Sequence, residues 1–364
     1  MKTLAFVVVA IALIVLTQWL IAQFFLAGPE SPERWLHIGD DVFVSKNPES
    51  AEHRRIAEEI YEGNKQAPPP GVDSIRLMRS TMDTSGQSVS PQSKVLAFES
   101  AELTGDWLIP PAAVPGRRLL YLHGGGFTAG SALSHRSIAD RLAIRLSAEV
   151  FLPNYRLMPE HRRADGIHDC RTAYRWILDH GHASESPVQE LLVAGDSAGG
   201  NLALAVVIWA RDNDIEPADK LILFSPHTDT TMSAPSHSQN LDTDLMQGAF
   251  LRQAMEAPRS LFLWMNYFFN RIIPNSPEVS PLFGDLSDLP PTLIQASKAE
   301  VLLDDAVRLA NKAREQGTVV ELQLWPHTLH AWQVFDTPES TEALENVVRF
   351  VEAFPPGISR SHPE

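Results

Sequence analysis

Residues 191–212, LLVAGDSAGGNLALAVVIWARD, pass from an apolar strand pattern through a serine set among small residues straight into a helical pattern. A strand feeding a helix this abruptly is half of a crossover unit, and only such units let a chain return to lay a second strand parallel to the first. Gly195 and Gly199 stand two positions before and after Ser197. That spacing strips side chains from a turn so sharp that the backbone crowds the serine from both sides. The segment is either a tight turn that happens to contain a hydroxyl, or a nucleophile held where nothing bulky blocks attack.

The unit recurs along the chain. Strand patterns lie at 118–124 (RLLYLHG), 149–155 (EVFLPNY), 191–196, 220–226 (KLILFSP), 291–297 (PTLIQAS) and 319–325 (VVELQLW). Helical patterns separate most of them. Ser134 is placed to cap HRSIADRLAIRLSA, and residues 304–316 put Ala306, Leu309, Ala310 and Ala313 on one stripe that ends at Gly317. Thr337-Pro338 opens a last helix carrying Leu344, Val347, Val348 and Val351. The pattern predicts an α/β fold with a mostly parallel sheet covered on both faces, and ligands of such sheets bind beyond the carboxyl ends of the strands. With 364 residues, 44% of them apolar, the chain can enclose a large core.

The rhythm begins at about residue 95, and one later interval breaks it. Upstream, residues 51–63 read as a helix, QAPPPG (66–71) interrupts the chain, and 83–94 read as a polar loop. Between Pro226 and Pro291 lies a long interval containing SLFLWMNYFFNRI (260–272), whose aromatic richness at the carboxyl end of a strand predicts a cap over the site.

The amino terminus stands apart from this pattern. Leu4 to Ala27 is 24 residues without a charge, about 36 Å as a helix, long enough to cross a bilayer core with some tilt. A cleaved signal peptide is the rival reading, but a cut after Ala27 would leave Phe25 where a small residue is wanted. An uncleaved anchor over 1–28 is therefore expected. Lys2 precedes the span, whereas Glu30, Glu33, Asp40 and Asp41 follow it with only Arg34 for balance, which puts the body on the non-cytoplasmic side, in periplasm or lumen. A net charge of −15 disfavours nucleic acid and anionic lipid as partners. Cys170 is the only cysteine, so no intrachain disulfide and no cysteine zinc site can form, and its place at a helix start reads as a packed thiol.

The motifs with chemical content gather at the strand ends. YLHGGGF (121–127) is another strand running into consecutive glycines, whose bare backbone supplies N–H groups to a developing oxyanion. Gly125 and Gly126 are the candidate donors, with the amide of Ala198 as a third. Phosphate binding is excluded as an explanation because no G-K-[ST] follows. A serine hydroxyl needs a base to take its proton and a carboxylate to orient that base. After PTLIQAS come Glu300, Asp304 and Asp305, and after VVELQLW come His327 and His330. Glu300 lies in the loop just past a strand, whereas the two aspartates are a turn into the next helix.

HGGGF, NYRLMPEH (154–161), GDSAGGNLAL, LPPTLIQAS with EVLLDDAVRLA, and PHTLHAW together resemble the hormone-sensitive-lipase-like branch of the α/β-hydrolases, over residues 50–354. The resemblance implies an eight-stranded sheet and a helical cap built from residues 35–75 and 235–285. The chain then divides into the anchor (1–28), a hydrolase domain (29–354) and a C-terminal tail (355–364). It implies a serine esterase working through an acyl-enzyme on uncharged, fairly apolar carboxylic esters, without metal or cofactor. Lactone hydrolysis by the same mechanism is the near alternative. A non-catalytic small-molecule binding protein on the same scaffold is the alternative from another class. Carried over by position, Ser197 is the nucleophile, Glu300 the acid and His330 the base, since the family's histidine precedes a small residue and an aromatic, here Ala331-Trp332. His123 falls where the family has a histidine that shapes the glycine loop. Two departures stand out. Arg162 and Arg163 replace an apolar, proline-containing stretch and are expected to be solvated, and His227 stands where a tryptophan is common, which bears on pocket size.

Overall fold

Alternate side chains along each central strand point into different layers, as the two-residue period of a strand requires. In a computed structural model describing residues 2–28, 32–40, 42–64, 73–88 and 90–356, the strands are β1 (Phe43–Val44), β2 (Lys94–Glu99), β3 (Thr104–Ile109), β4 (Arg117–Leu122), β5 (Glu149–Pro153), β6 (Glu190–Asp196), β7 (Lys220–Phe224), β8 (Thr292–Ser297) and β9 (Val320–Trp325). They form one sheet in the order β1-β9-β8-β7-β6-β4-β5-β3-β2. All pairings are parallel except β2 with β3 and β3 with β5.

The helices are α1 (Lys2–Ile21), α2 (Ala51–Asn64), α3 (Ser74–Gln87), α4 (Arg136–Leu146), α5 (Arg163–Asp179), α6 (Ala198–Asp212), α7 (Ser236–Gln239), α8 (Gly248–Met255), α9 (Arg259–Asn270), α10 (Leu303–Glu315) and α11 (Pro338–Ala353). On one face of the sheet α5, α6 and α10 cover Leu120, Leu122, Val193, Leu221 and Leu223. On the other face α4 and α11 cover the intervening residues Leu119, Tyr121, Leu192, Ala194, Ile222 and Phe224. Both faces of every central strand are thus buried, which explains why β4, β6 and β7 read as continuous apolar runs.

Three expectations change. The sheet has nine strands rather than eight; the ninth is β1, two residues that extend the β9 edge in parallel, too short to leave an alternation in the sequence. The polar stretch from 83 is helical as far as Gln87, because α3 starts on an Asp73 cap that accepts the amides of Ile75 and Arg76. Ser134 does not cap α4: its hydroxyl accepts from the Ser131 amide and lies 2.8 Å from His135 Nδ1, and His135 takes the cap position. By contrast Thr337 accepts the Ser340 amide at the start of α11. QAPPPG and residues 357–364 of the tail lie outside the described residues.

The elements outside the sandwich gather at the carboxyl ends of the strands. From α2, His53 Nε2 accepts the Leu329 amide. From α3, the Arg79 guanidinium donates to the Thr128 and Met158 carbonyls and to the Glu160 carboxylate. Beside α7, Asn240 donates to the carbonyls of Lys298 and Glu300.

The loop between β7 and α7 is fixed by a buried ion pair. Asp229 accepts from the Thr231 and Ser233 amides and hydroxyls and from Arg308 at 3.0 Å, with both charged side chains fully buried. Removing one partner of such a pair leaves an uncompensated charge in the interior. Asp229→Ala is expected to lower unfolding free energy by about 3–5 kcal/mol, measured by urea denaturation.

Candidate active site

Ser197 sits in the turn between β6 and α6 with φ 53° and ψ −120°, a conformation that L-residues seldom adopt. The turn closes only because nothing projects from Gly195 and Gly199, two positions to either side. A Cβ on Gly199 would lie 2.0 Å from the Leu122 carbonyl oxygen and 2.5 Å from that of His123. Both obstacles are backbone and cannot swing aside. Gly199→Ala should therefore displace the turn, at about 1–3 kcal/mol of stability and more than about 100-fold in catalysis, since a displacement near 1 Å costs that much. Thermal melts and ester turnover read the two effects.

The residue before the serine ties this turn to the glycine loop. Asp196 Oδ1 accepts from the Tyr121 hydroxyl at 2.8 Å and the Gly124 amide at 3.1 Å, and lies 3.5 Å from His135 Nε2. Burial alone would raise the Asp196 pKa, but His135 and the Tyr121 hydroxyl outweigh it and hold it below the ordinary carboxylate value. Past Gly124 the chain turns through Gly125, at φ +114°, whose carbonyl accepts the amides of Thr128 and Ala129. The amides of Gly125, Gly126 and Ala198 donate to no acceptor among the described residues. Two of these donors lie on the glycine loop that Asp196 ties to the serine turn, and the third opens α6 directly after Ser197. His123 is fully buried, stacked on Tyr155 at 4.1 Å, with Nδ1 donating to the Gly124 carbonyl. Burial and the neighbouring His135 push its pKa down to about 3, so it is neutral and shapes the loop.

A short chain of hydrogen bonds runs from Ser197 to the histidine loop. The Ser197 amide donates to the Phe224 carbonyl, and the His227 amide donates to the Ser197 carbonyl. Between those two contacts stands Ser225, whose Oγ accepts the Ala331 amide. Ala331 takes φ 50° and follows His330 directly. His330 Nδ1 lies 2.5 Å from Glu300 Oε2, with both side chains buried. Because a carboxylate only accepts, Nδ1 carries the proton and Nε2 keeps its lone pair. Nε2 is buried and has no hydrogen-bond partner among the described residues. Burial disfavours the imidazolium, but the hydrogen bond and charge of Glu300, with Asp244 and Asp196 farther off, raise the His330 pKa above the ordinary imidazole value. The other Glu300 oxygen accepts the Ser297 amide at 2.8 Å.

The competing residues have other partners. Asp304 accepts the Ser236 amide. Asp305 accepts the amides of Thr228 and Asp229 and pairs with His237 at 2.8 Å. His327 is exposed on the turn after β9.

Arg163 departs from expectation. Arg162 is exposed, but Arg163 is buried, with its guanidinium stacked 3.0 Å over the Phe127 ring and one nitrogen 2.7 Å from Asn201 Oδ1. Its position at the first turn of α5 turns the side chain inward, and burial lowers its pKa to about 9. His227 is half-buried, edge-on to Phe127, and desolvation lowers its pKa to about 4, so the ring is neutral while its amide donates to the Ser197 carbonyl. Sequence reasoning missed His53, Ser225 and Asp244 as supports of this site. Asp244 accepts the Val301 amide next to Glu300. None of the three lies in a motif, and each acts on a segment at least 57 residues away.

The family described as alpha/beta hydrolase fold matches residues 119–334. An acetyl-hydrolase of Streptomyces hygroscopicus is 35% identical over 245 residues, covering 66% of this chain and 77% of the relative. Among solved structures, an esterase/lipase from an uncultured bacterium superposes with a TM-score of 0.72 at 32% identity, over 84% of this chain and 99% of that one. An esterase from the bacterial hormone-sensitive lipase family superposes at 0.73 with 27% identity, over 85% and 99%.

Proposed function

Because the chain belongs to the α/β-hydrolase family, in its hormone-sensitive-lipase-like branch of carboxylesterases, we propose that Ser197, His330 and Glu300 are its catalytic residues. On this reading Ser197 Oγ attacks the ester carbonyl carbon while His330 Nε2 takes its proton. The carbonyl oxygen becomes an oxyanion held by the amides of Gly125, Gly126 and Ala198. Collapse of the tetrahedral intermediate breaks the bond to the alcohol, which leaves with the proton from His330. Water then attacks the acyl-enzyme, giving its proton to His330, and the carboxylic acid departs as Ser197 recovers the proton. Glu300 keeps the imidazole in the tautomer that can accept and stabilises the imidazolium between steps. The observation that carries the reading is the buried His330–Glu300 hydrogen bond with Nε2 left unpartnered, joined through Ala331 and Ser225 to the turn that strains Ser197.

The neighbours of Ser197 support a substrate class. Neutral His227 and the Phe127 ring favour an uncharged, apolar ester over an ionised one. Turnover across p-nitrophenyl esters of graded acyl length, charged analogues and simple lactones tests this. Neutral esters should lead in kcat/KM, and a preference for the charged or the cyclic substrates would replace the reading with another substrate class.

We further propose that the N-terminal helix anchors the enzyme in a membrane with the hydrolase body on the non-cytoplasmic side. The support is a helix over Phe6–Leu26 with nearly all of its apolar surface exposed, with Lys2 before it and acidic residues after. An anchored chain stays with the membrane pellet in alkaline carbonate, and release into the supernatant would contradict it.

A further inference from the structure

The segment of α9 from Ser260 to Asn270 contains no charged residue, yet much of it faces outward. Leu261, Met265, Phe268 and Phe269 are each between 51% and 55% exposed and recur at spacings that share one helix face. Its inner face is fixed. Leu263 is fully buried against Ala22 and Leu26, at the end of the N-terminal helix. The Trp264 indole donates to the Gln18 carbonyl at 3.1 Å, and the Asn275 amide group donates to the Ala27 carbonyl at 2.6 Å. Beside this junction Phe24 and Phe25 are 74% and 67% exposed. The outer face of α9 thus continues the apolar surface of the N-terminal helix, with Trp264, Tyr267 and Phe268 forming an aromatic cluster at the join. Exposed apolar surface of this extent calls for an occupant. The occupant that also covers a helix exposed on nearly all sides is lipid, and indole and phenol rings favour the headgroup level.

The other side of α9 rests on the loop that follows β7. Asn266 donates to the Thr230 carbonyl at 2.8 Å and Arg259 to that of Thr231 at 2.8 Å. These residues belong to the segment whose His227 amide donates to the Ser197 carbonyl.

We propose that α9 lies in the lipid–water interface beside the anchor, so that the site draws its substrates, long-chain apolar esters, from the bilayer. This rests on the anchor and esterase readings above. With a net charge of −15, the contact is apolar and not an attraction to anionic headgroups.

The test uses the full chain reconstituted in phosphatidylcholine vesicles, with a nitroxide attached at Met265→Cys or Phe268→Cys; buried Cys170 leaves the new thiol as the site of labelling. Relaxation by oxygen exceeding that by a water-soluble nickel chelate at both sites is the expected result. Dominant relaxation by the chelate places the face in water and overturns the proposal, and protection from both means protein covers it, which overturns it as well. In the same vesicles Phe268→Asp with Phe269→Asp should lower hydrolysis of a bilayer-resident palmitoyl ester about tenfold or more and leave a water-soluble acetyl ester unchanged. Equal loss on both esters, or no loss on either, overturns it. Absence of acetyl-ester turnover in the unaltered chain would sink the esterase reading, while the nitroxide result still decides the position of α9.

Discussion

Replacing Ser197 with alanine is expected to reduce kcat on a short p-nitrophenyl ester by about 10⁵–10⁶-fold, because loss of the nucleophile removes the whole covalent route and leaves only binding and the oxyanion donors. The fold should survive. Ser197 makes no side-chain bond that caps α6, and its backbone contacts to Phe224 and His227 do not involve the hydroxyl. The melting temperature should therefore stay close to that of the unaltered chain. Activity within tenfold of the parent in steady-state assays would mean that some other group attacks the ester.

Glu300→Gln is expected to cost about 10³–10⁴-fold in kcat, as in serine hydrolases where the orienting carboxylate becomes an amide. The cause is specific. The carboxylate receives the Nδ1 proton at 2.5 Å and so leaves Nε2 as the base. An amide can present its N–H instead and invert the tautomer. The pH profile carries a second signature. The base must be neutral to act, so kcat/KM rises with pH through the His330 pKa, which lies above the ordinary imidazole value because Glu300 stabilises the protonated ring. Removing that negative charge lowers the pKa, and the acid limb should move to lower pH even as the rate falls. A limb that stays in place would separate Glu300 from the titrating group.

Much of the site was legible because its chemistry is written locally. The turn around Ser197 needs Gly199 two positions on, since Leu122 and His123 carbonyls fill the space a side chain would take, and such a demand leaves a pattern a reader can see. The glycine loop is legible for the same reason. Glu300 could be proposed because it follows a strand at the end where ligands bind, whereas His330 was separated from His327 by the family resemblance, through Ala331-Trp332. What was hidden depends on contacts distant in sequence. His53 supports the His330 loop across 276 residues, and no spacing rule links a helix near the N-terminus to a loop near the other end. Arg163 reads as a surface charge until the stacked Phe127 ring and Asn201 are brought against it. The β1 strand adds just two residues to an edge. The last turns of α3, residues 83–87, pass for a loop because they are polar and the helix is anchored by the Arg79 guanidinium.

The most direct test of the account is the location of the covalent bond it requires. Treating the enzyme with an alkyl fluorophosphonate, digesting it and mapping the adduct by mass spectrometry should place one phosphonyl group on Ser197. His330→Ala should slow that labelling by orders of magnitude. An adduct on a different residue, or labelling that persists unchanged in Ser197→Ala, would contradict it.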